Sequence, residues 1–326
     1  SAPSSVPMAT ISIAGRSTTP AHLVPVDDRA TYEAAASARG PTLLQQGWAY
    51  GKAVRRRGQA VERRLLVEDG AVIGAVQVLG RRVALGHVAL WHAAGGPVIA
   101  AEASTTAGVA SLATLRRRFG WRRGALFVAT PGGPSPDLDR QRLAAAGFSR
   151  AMTGHATARL DLRTSEADLW RGLKATWRQA VRRGLPDDVV ISLTDARNDP
   201  FALAALLDAA AASRAERGYG ALPESMVRDI ARGGSCLLAT ASRSGELVAG
   251  LVLPRHGATA TYQIGWLAAE ARRSSLHAQL LWGAIGWLKR AGAHWLDVGG
   301  LDVPPGITRF KLASGATPVR LAGSWA

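Results

Sequence analysis

One succession of elements is written twice along this chain, and that repetition restricts its fold more than any other feature. In the first half, "RRLLVEDGAVIGAVQVLG" reads as a strand, a turn at Asp69-Gly70 and a second strand. A helix follows in "STTAGVASLATLRRRFG", with Leu112, Leu115 and Phe119 on one face, and then the strand "ALFVATP". The second half repeats the order. Strands and turns at Ser244-Gly245 and His256-Gly257 fill "SCLLATASRSGELVAGLVLPRHGATATYQIGW", followed by the helix "SSLHAQLLWGAIGWLKRAG" and the strand "HWLDVGG". Hairpins that feed a helix and then a further strand predict a mixed sheet covered by helices. The chain is therefore expected to be an α/β protein of two duplicated units, residues 1–157 and 158–316, with a ligand cleft between them.

Composition narrows the functions such a protein can serve. With 326 residues, 47% of them hydrophobic and 20% charged, the chain can build a substantial core, which excludes a disordered basic protein. It carries 40 Lys+Arg against 24 Asp+Glu, a formal net charge of +16, and that surplus favours nucleic acid, anionic lipid or phosphorylated substrates. Cys236 is the only cysteine, so no internal disulfide forms; in the apolar run "SCLLATAS" it reads as a buried, inert thiol in a cytoplasmic protein. No segment approaches the roughly 20 apolar residues of a membrane span, and residues 1 to 7 read as a flexible leader.

The charge is most organised in "LWRGLKATWRQAVRRG", Leu169 to Gly184. As one helix, this stretch places Arg171, Lys174, Arg178 and Arg182 on a narrow stripe opposite Leu169, Leu173, Trp177 and Ala180. Ser165 and Asp168 form a capping pattern at its start, and Gly184 and Pro186 stop it. A basic stripe is commonly a solvated face. Four cations in register with no interleaved acid instead fit a phosphate-reading surface, which Arg183 extends.

The order of further landmarks resembles the Fem family of aminoacyl-tRNA-dependent transferases, which add amino acids to peptidoglycan precursors, and their relatives in antibiotic biosynthesis. The residues that carry the resemblance are "LLQQGWAYGKAV", "GGPVIA", "AAAGF", "ARLDL", "KATWRQAVRRG", "SRAERGYG", "TYQIGW", "GAHWLDVGGLD" and "GITRFKLASGATPV", in the family's order. The resemblance implies two tandem acetyltransferase-like (GNAT) domains. It further implies that the last strand, "TPVRLAG", returns to the first domain, so that residues 317–326 join residues 1–157. The coiled-coil arm of some members is absent, since no heptad run interrupts residues 158–235.

Transfer from aminoacyl-tRNA is attack of a neutral amine on an activated ester, so positioning and charge stabilisation suffice. No nucleophilic side chain, metal or cofactor is expected, and aminoacyl-tRNA is the co-substrate. The seven histidines show no metal-ligand spacing, and His87 and His92 would face opposite sides of a strand. Lys311 in "RFKLASG" is the first catalytic candidate, a cation for the ester oxyanion or the 3′ end of the tRNA, with Phe310 beside it. Asp297 and Asp302 flank "VGGL", and either one could accept a proton from the attacking ammonium or serve as a cap. Lys52 and Trp48 on the first helix, Arg214 or Arg217, and Tyr219 look like the family's acceptor-binding positions for a peptide-like or phosphorylated acceptor. Tyr262 is a hydrogen-bonding candidate, and Trp282 and Trp287 read as core. The main alternative donor is acyl-CoA. Such enzymes present a Gly-rich turn at the helix that follows the central strands, where "ARRSSLHAQLL" has no glycine. A non-catalytic RNA-binding module would explain the charge but not the landmarks.

Overall fold

A computed structural model describes residues 22–37, 40–83, 88–99, 105–120, 124–131, 137–217, 222–271 and 274–326. The expected leader, His87 and Tyr219 lie outside these residues. The first unit opens with β1 (His22–Pro25), α1 (Arg29–Ser37), a 3-10 turn at Leu44–Gln46 and α2 (Trp48–Arg55). It continues through β2 (Ala60–Glu68), β3 (Ala71–Val83), β4 (Val88–Gly95), β5 (Val98–Ile99), α3 (Thr105–Phe119), β6 (Ala125–Pro131), α4 (Asp137–Ala145) and β7 (Arg150–Met152).

The second unit contains β8 (Ala156–Asp161), α5 (Glu166–Gly172), α6 (Ala175–Arg182), β9 (Val189–Asp195), α7 (Pro200–Arg217) and α8 (Glu224–Gly233). The hairpin β10 (Cys236–Arg243) and β11 (Glu246–His256) leads to β12 (Thr259–Thr261), β13 (Ile264–Leu267), α9 (Leu276–Arg290) and β14 (Trp295–Gly300). Helix α10 (Pro305–Ala313) and strands β15 (Thr317–Arg320) and β16 (Ser324–Trp325) close the chain.

The duplication is visible in the pairing. One sheet runs β1-β2-β3-β4-β6-β16-β7 with β5 on β3, and the other runs β15-β8-β14-β12-β11-β10-β9 with β13 on β11. In each, an antiparallel hairpin precedes a parallel pair joined through a helix: β4 to β6 through α3, and β12 to β14 through α9. The hairpin tips were legible because Asp69-Gly70 and Ser244-Gly245 take positive φ (49° and 76°, 51° and 83°), as tight turns between twisted strands require. The α3 face forms as its pattern predicts, with Leu112, Leu115 and Phe119 buried beside Phe127. On α9, Leu280, Leu281, Ala284, Ile285 and Leu288 are buried on the second sheet. Each buried leucine there contributes about 1.5–3 kcal/mol. Trp282 and Trp287 are half-buried and packed against this core, Trp282 edge-on to Trp170. Cys236 is buried, and burial pushes its thiol pKa well up, away from thiolate chemistry.

The two units share a packed seam. Ala49, Ala53 and Val54 of α2 cluster with Met226 and Ile230 of α8, flanked by Arg56 and Arg57 bonded to Asp229 at 2.7 and 2.8 Å. Beside it, Thr42 Oγ1 lies 2.9 Å from His256 Nδ1, and His256 Nε2 lies 2.8 Å from Thr261 Oγ1.

Two expectations are corrected. The strand "TPVRLAG" does not return: Thr317–Arg320 pair with β8 in the second sheet, and the chain joins the first at Ser324 and Trp325, where Trp325 is buried, and at Ala326, which exchanges backbone hydrogen bonds with Ser149. Leu321 N bonds to His155 O and holds the crossing. The basic stretch is also not one helix. Leu173 and Lys174 are extended (ψ 141° and 152°), so α5 and α6 are separate, and the four cations do not share one helical stripe. The break is stabilised from both sides. Leu173 is buried in the second core, Lys174 N donates to Ala313 O, and Arg178 Nη1 donates to the carbonyls of Leu173 and Arg171 that the break exposes. The caps at Ser165, whose Oγ accepts from Asp168 N, and at Asp199, which accepts from Ala202 N, form as their patterns predict.

Candidate active site

The two sheets differ in one respect that locates a site. In the first, β4 and β6 stay paired over seven positions, Ala89 to Gly95 against Ala125 to Pro131. In the second, β12 and β14 pair only from Thr259 to Thr261. Beyond that, β13 remains on β11 while the end of β14 remains on β8, through Gly300 opposite Thr157. The parallel strands therefore part just after Tyr262, whose N–H still donates to Asp297 O at 2.8 Å. An opened parallel pair turns backbone N–H and C=O groups toward the space between its edges, where a peptide-like group can bond to them.

Lys311 lies at this opening. It is buried on α10, not at a loop exit, and its Nζ donates to Gly300 O at 2.6 Å. A methyl added to Gly299 would stand 3.4 Å from Lys311 Nζ and 3.5 Å from Tyr262 O, so the ammonium and Tyr262 flank the same point of β14. Gly299 has φ of 79°, which only glycine adopts at low cost, and this bend carries β14 toward α10. Burial lowers the Lys311 pKa, and the nearby Asp297 carboxylate pulls it back up. Phe310 packs against Trp177 and His277, with ring centroids 5.1 and 4.9 Å away, and Tyr262 Oη lies 2.7 Å from His277 Nε2.

Asp297 is not an open base. Its Oδ1 accepts from Thr157 Oγ1 at 2.6 Å and from Gly299 N at 2.8 Å, and its Oδ2 accepts from Arg159 Nε at 3.2 Å, all at a buried position. Asp302 is exposed in the loop before α10. Tyr262, Phe310, Lys311 and Asp297 thus converge, and the remaining candidates lie elsewhere. Trp48 is half-buried, with the Arg63 guanidinium 3.7 Å above its ring, while Lys52 is exposed on α2. Arg214 faces Glu224 across α7 and α8 at 3.7 Å. Arg217 ends α7 with its side chain outside the described residues.

Of the basic residues, Arg171 pairs with Asp168, and Arg182 lies over the Trp170 ring at 5.4 Å. Lys174 and Arg183 are exposed, and Arg178 is half-buried in the helix break. Sequence reasoning missed His277 and Arg159. Arg159 had a signal: with Thr157 it occupies alternate positions of "ATARLD", where polar residues would face one side of a strand. Among the described residues, no group of three His, Cys, Asp or Glu side chains converges to hold a metal.

A family model described as an acetyltransferase (GNAT) domain matches residues 149–312, half of the chain and nearly all of the unit that carries the opened strands. The chain belongs to the acetyltransferase (GNAT) domain family. No curated protein matches it. Among solved structures, this GNAT chain is similar to FemX, with a TM-score of 0.76 at 15% identity over 91% of this chain and 95% of that one. It is also similar to a tandem GNAT protein from the clavulanic acid biosynthesis pathway, with a TM-score of 0.52, 18% identity and 94% and 97% coverage. L-PGS from Bacillus licheniformis gives 0.53, 13%, 91% and 90%. At these identities the likenesses establish a shared tandem fold. Among the described residues, no helix of this GNAT chain is long and apolar enough to cross a membrane.

Buried His256 and half-buried His277 give this GNAT chain a testable acid sensitivity. Burial, reinforced by Arg159, pushes the His256 pKa down to about 3, and burial pushes that of His277 down to about 4. As pH falls below the ordinary histidine value of 6.5, the unfolded chain takes up protons on these rings and the folded chain does not. Their contribution to stability is complete above about pH 7 and is lost progressively down to about pH 3, on the order of a few kcal/mol. Denaturant titrations of wild type and His256→Gln across pH 7 to 4 check this: the variant should show the shallower loss.

Proposed function

We propose that this chain transfers an aminoacyl group from aminoacyl-tRNA to the amine of a peptide-like acceptor, forming an amide bond at the opening between β13 and β14. The observation that carries the reading is a buried lysine at the parting of two parallel strands, in the unit that the family model covers. The amine nitrogen attacks the ester carbonyl carbon, the carbonyl oxygen becomes an oxyanion, and the ribose oxygen leaves with its bonding pair. The neutral amine nitrogen becomes positively charged as the bond forms, and the proton it then loses balances the one gained by the leaving oxygen. Lys311 spends one N–H on Gly300 O and has two further donors to offer the oxyanion. Support for tRNA as the carrier comes from the net charge of +16, the exposed Lys174, Arg182 and Arg183, and the resemblance to the Fem family. Lys52, exposed on α2, is the proposed contact for an acidic group of the acceptor, a cell-wall precursor or a peptide natural product.

Acyl-CoA as donor is the second reading, favoured by the family match itself. Against it, the chain entering α9 has no glycine to let backbone N–H groups close on a pyrophosphate. Calorimetric titration separates the two: charged tRNA should bind and acetyl-CoA should not, and the reverse would overturn the proposal. The tRNA surface has its own test. Arg182→Glu with Arg183→Glu should weaken tRNA binding and flatten the slope of log K against log salt by roughly 0.7 to 0.9 per lost phosphate contact. Unchanged affinity and slope would make these arginines a solvated face. Arg178 is left intact because it closes the helix break.

A further inference from the structure

The Tyr262 side chain lies over β13, at the edge of the opening. A methyl added to Gly265 would collide with Tyr262 Oη and stand 3.0 Å from His277 Nε2, so this glycine leaves the space in which the two side chains meet. Their polar atoms are 2.7 Å apart, and their rings stack at 19° with centroids separated by 6.1 Å. On its other side, the His277 ring meets Phe310 at 4.9 Å, the residue next to Lys311. His277 therefore touches two of the side chains gathered at the opening, from behind.

We infer that His277 is a positioning residue, holding the Tyr262 hydroxyl by a hydrogen bond and backing the Phe310 ring so that the phenol oxygen and Lys311 face the acceptor amine and ester together. The inference rests on the aminoacyl-transfer reading and adds a residue to it. The His277 imidazole is neutral through the physiological range, so one ring nitrogen accepts and the other donates, and either arrangement fixes the phenol. Without that bond the tyrosine side chain is released to other staggered rotamers, which carry its oxygen several ångströms from the opening. The phenol forms no covalent bond and keeps its proton count; the proton balance of transfer is that of the amine and the leaving ribose oxygen.

The test uses the full chain, charged tRNA as donor and a short lysine-containing peptide as amine acceptor, with tRNA affinity and thermal stability measured alongside. His277→Phe should lower kcat about ten- to a hundredfold, as loss of orientation does, while KM for charged tRNA stays unchanged. His277→Gln, whose amide reaches the place of Nε2, should recover most of that loss. Gly265→Ala displaces the tyrosine hydroxyl and crowds Nε2 of a His277 that is still present, and should lower kcat by a similar factor. Wild-type kcat in His277→Phe would overturn the inference. So would equal losses in both His277 variants that follow lost thermal stability while Gly265→Ala keeps full turnover. Failure of the unsubstituted chain to transfer from any charged tRNA would remove the reading of function, and the inference with it.

Discussion

Lys311→Met is expected to reduce the rate of acyl transfer by about a hundredfold or more at saturating donor and acceptor, with little change in thermal stability. The ammonium is buried, anchored to Gly300 O and set where the parallel strands part. A fixed positive charge at a developing oxyanion is worth about 3–4 kcal/mol when water is excluded, which is two to three orders of magnitude in turnover. Methionine keeps the length and apolar stem of lysine, so the packing of α10 survives. The saturating condition separates two roles. If lysine only held tRNA phosphate, the variant would show a raised KM for tRNA and full turnover at high tRNA, and Lys311 would belong to the binding surface.

Asp297→Ala is expected to act on stability. The substitution leaves Arg159 charged and buried with its carboxylate gone, and strips Thr157 Oγ1 and Gly299 N of an acceptor. Breaking one side of a buried pair costs about 3–5 kcal/mol. Denaturant unfolding should show that loss, and the paired change Arg159→Met with Asp297→Leu should recover much of it, because removing both charges removes the desolvation cost as well. A variant of wild-type stability with abolished turnover would instead make Asp297 the proton acceptor.

These two residues show why the site was harder to read than the fold. Strands, hairpin tips and amphipathic helices depend on neighbours a few residues away, so Asp69-Gly70, Ser244-Gly245, the α3 face and the caps at Ser165 and Asp199 declared themselves locally. The roles of Asp297 and Lys311 depend on partners far along the chain. Thr157 and Arg159 on β8 occupy the Asp297 carboxylate, and the carbonyl of Gly300 receives Lys311. The helix break at Leu173 and Lys174 has the same origin. Period and charge spacing are those of one helix, but Ala313 O, from the far end of the unit, takes the Lys174 N–H and a capping Arg178 makes the interruption stable. Thr317–Arg320 departs from expectation for a similar reason, since nothing in "TPVRLAG" distinguishes a neighbour on β8 from one in the first sheet.

The most direct test of the central claim, that the opened sheet of the second unit transfers an acyl group carried by tRNA, is a single reaction offering both donors. Aminoacyl-tRNA labelled in the amino acid and acetyl-CoA labelled in the acetyl group are mixed with the protein and a lysine-containing peptide, and base-stable amide product is identified by mass. The expected result is amide carrying the amino acid, lost on ribonuclease treatment and undiminished when acetyl-CoA is omitted. Acetylated product that survives ribonuclease, with no aminoacylated product beside it, would contradict the claim.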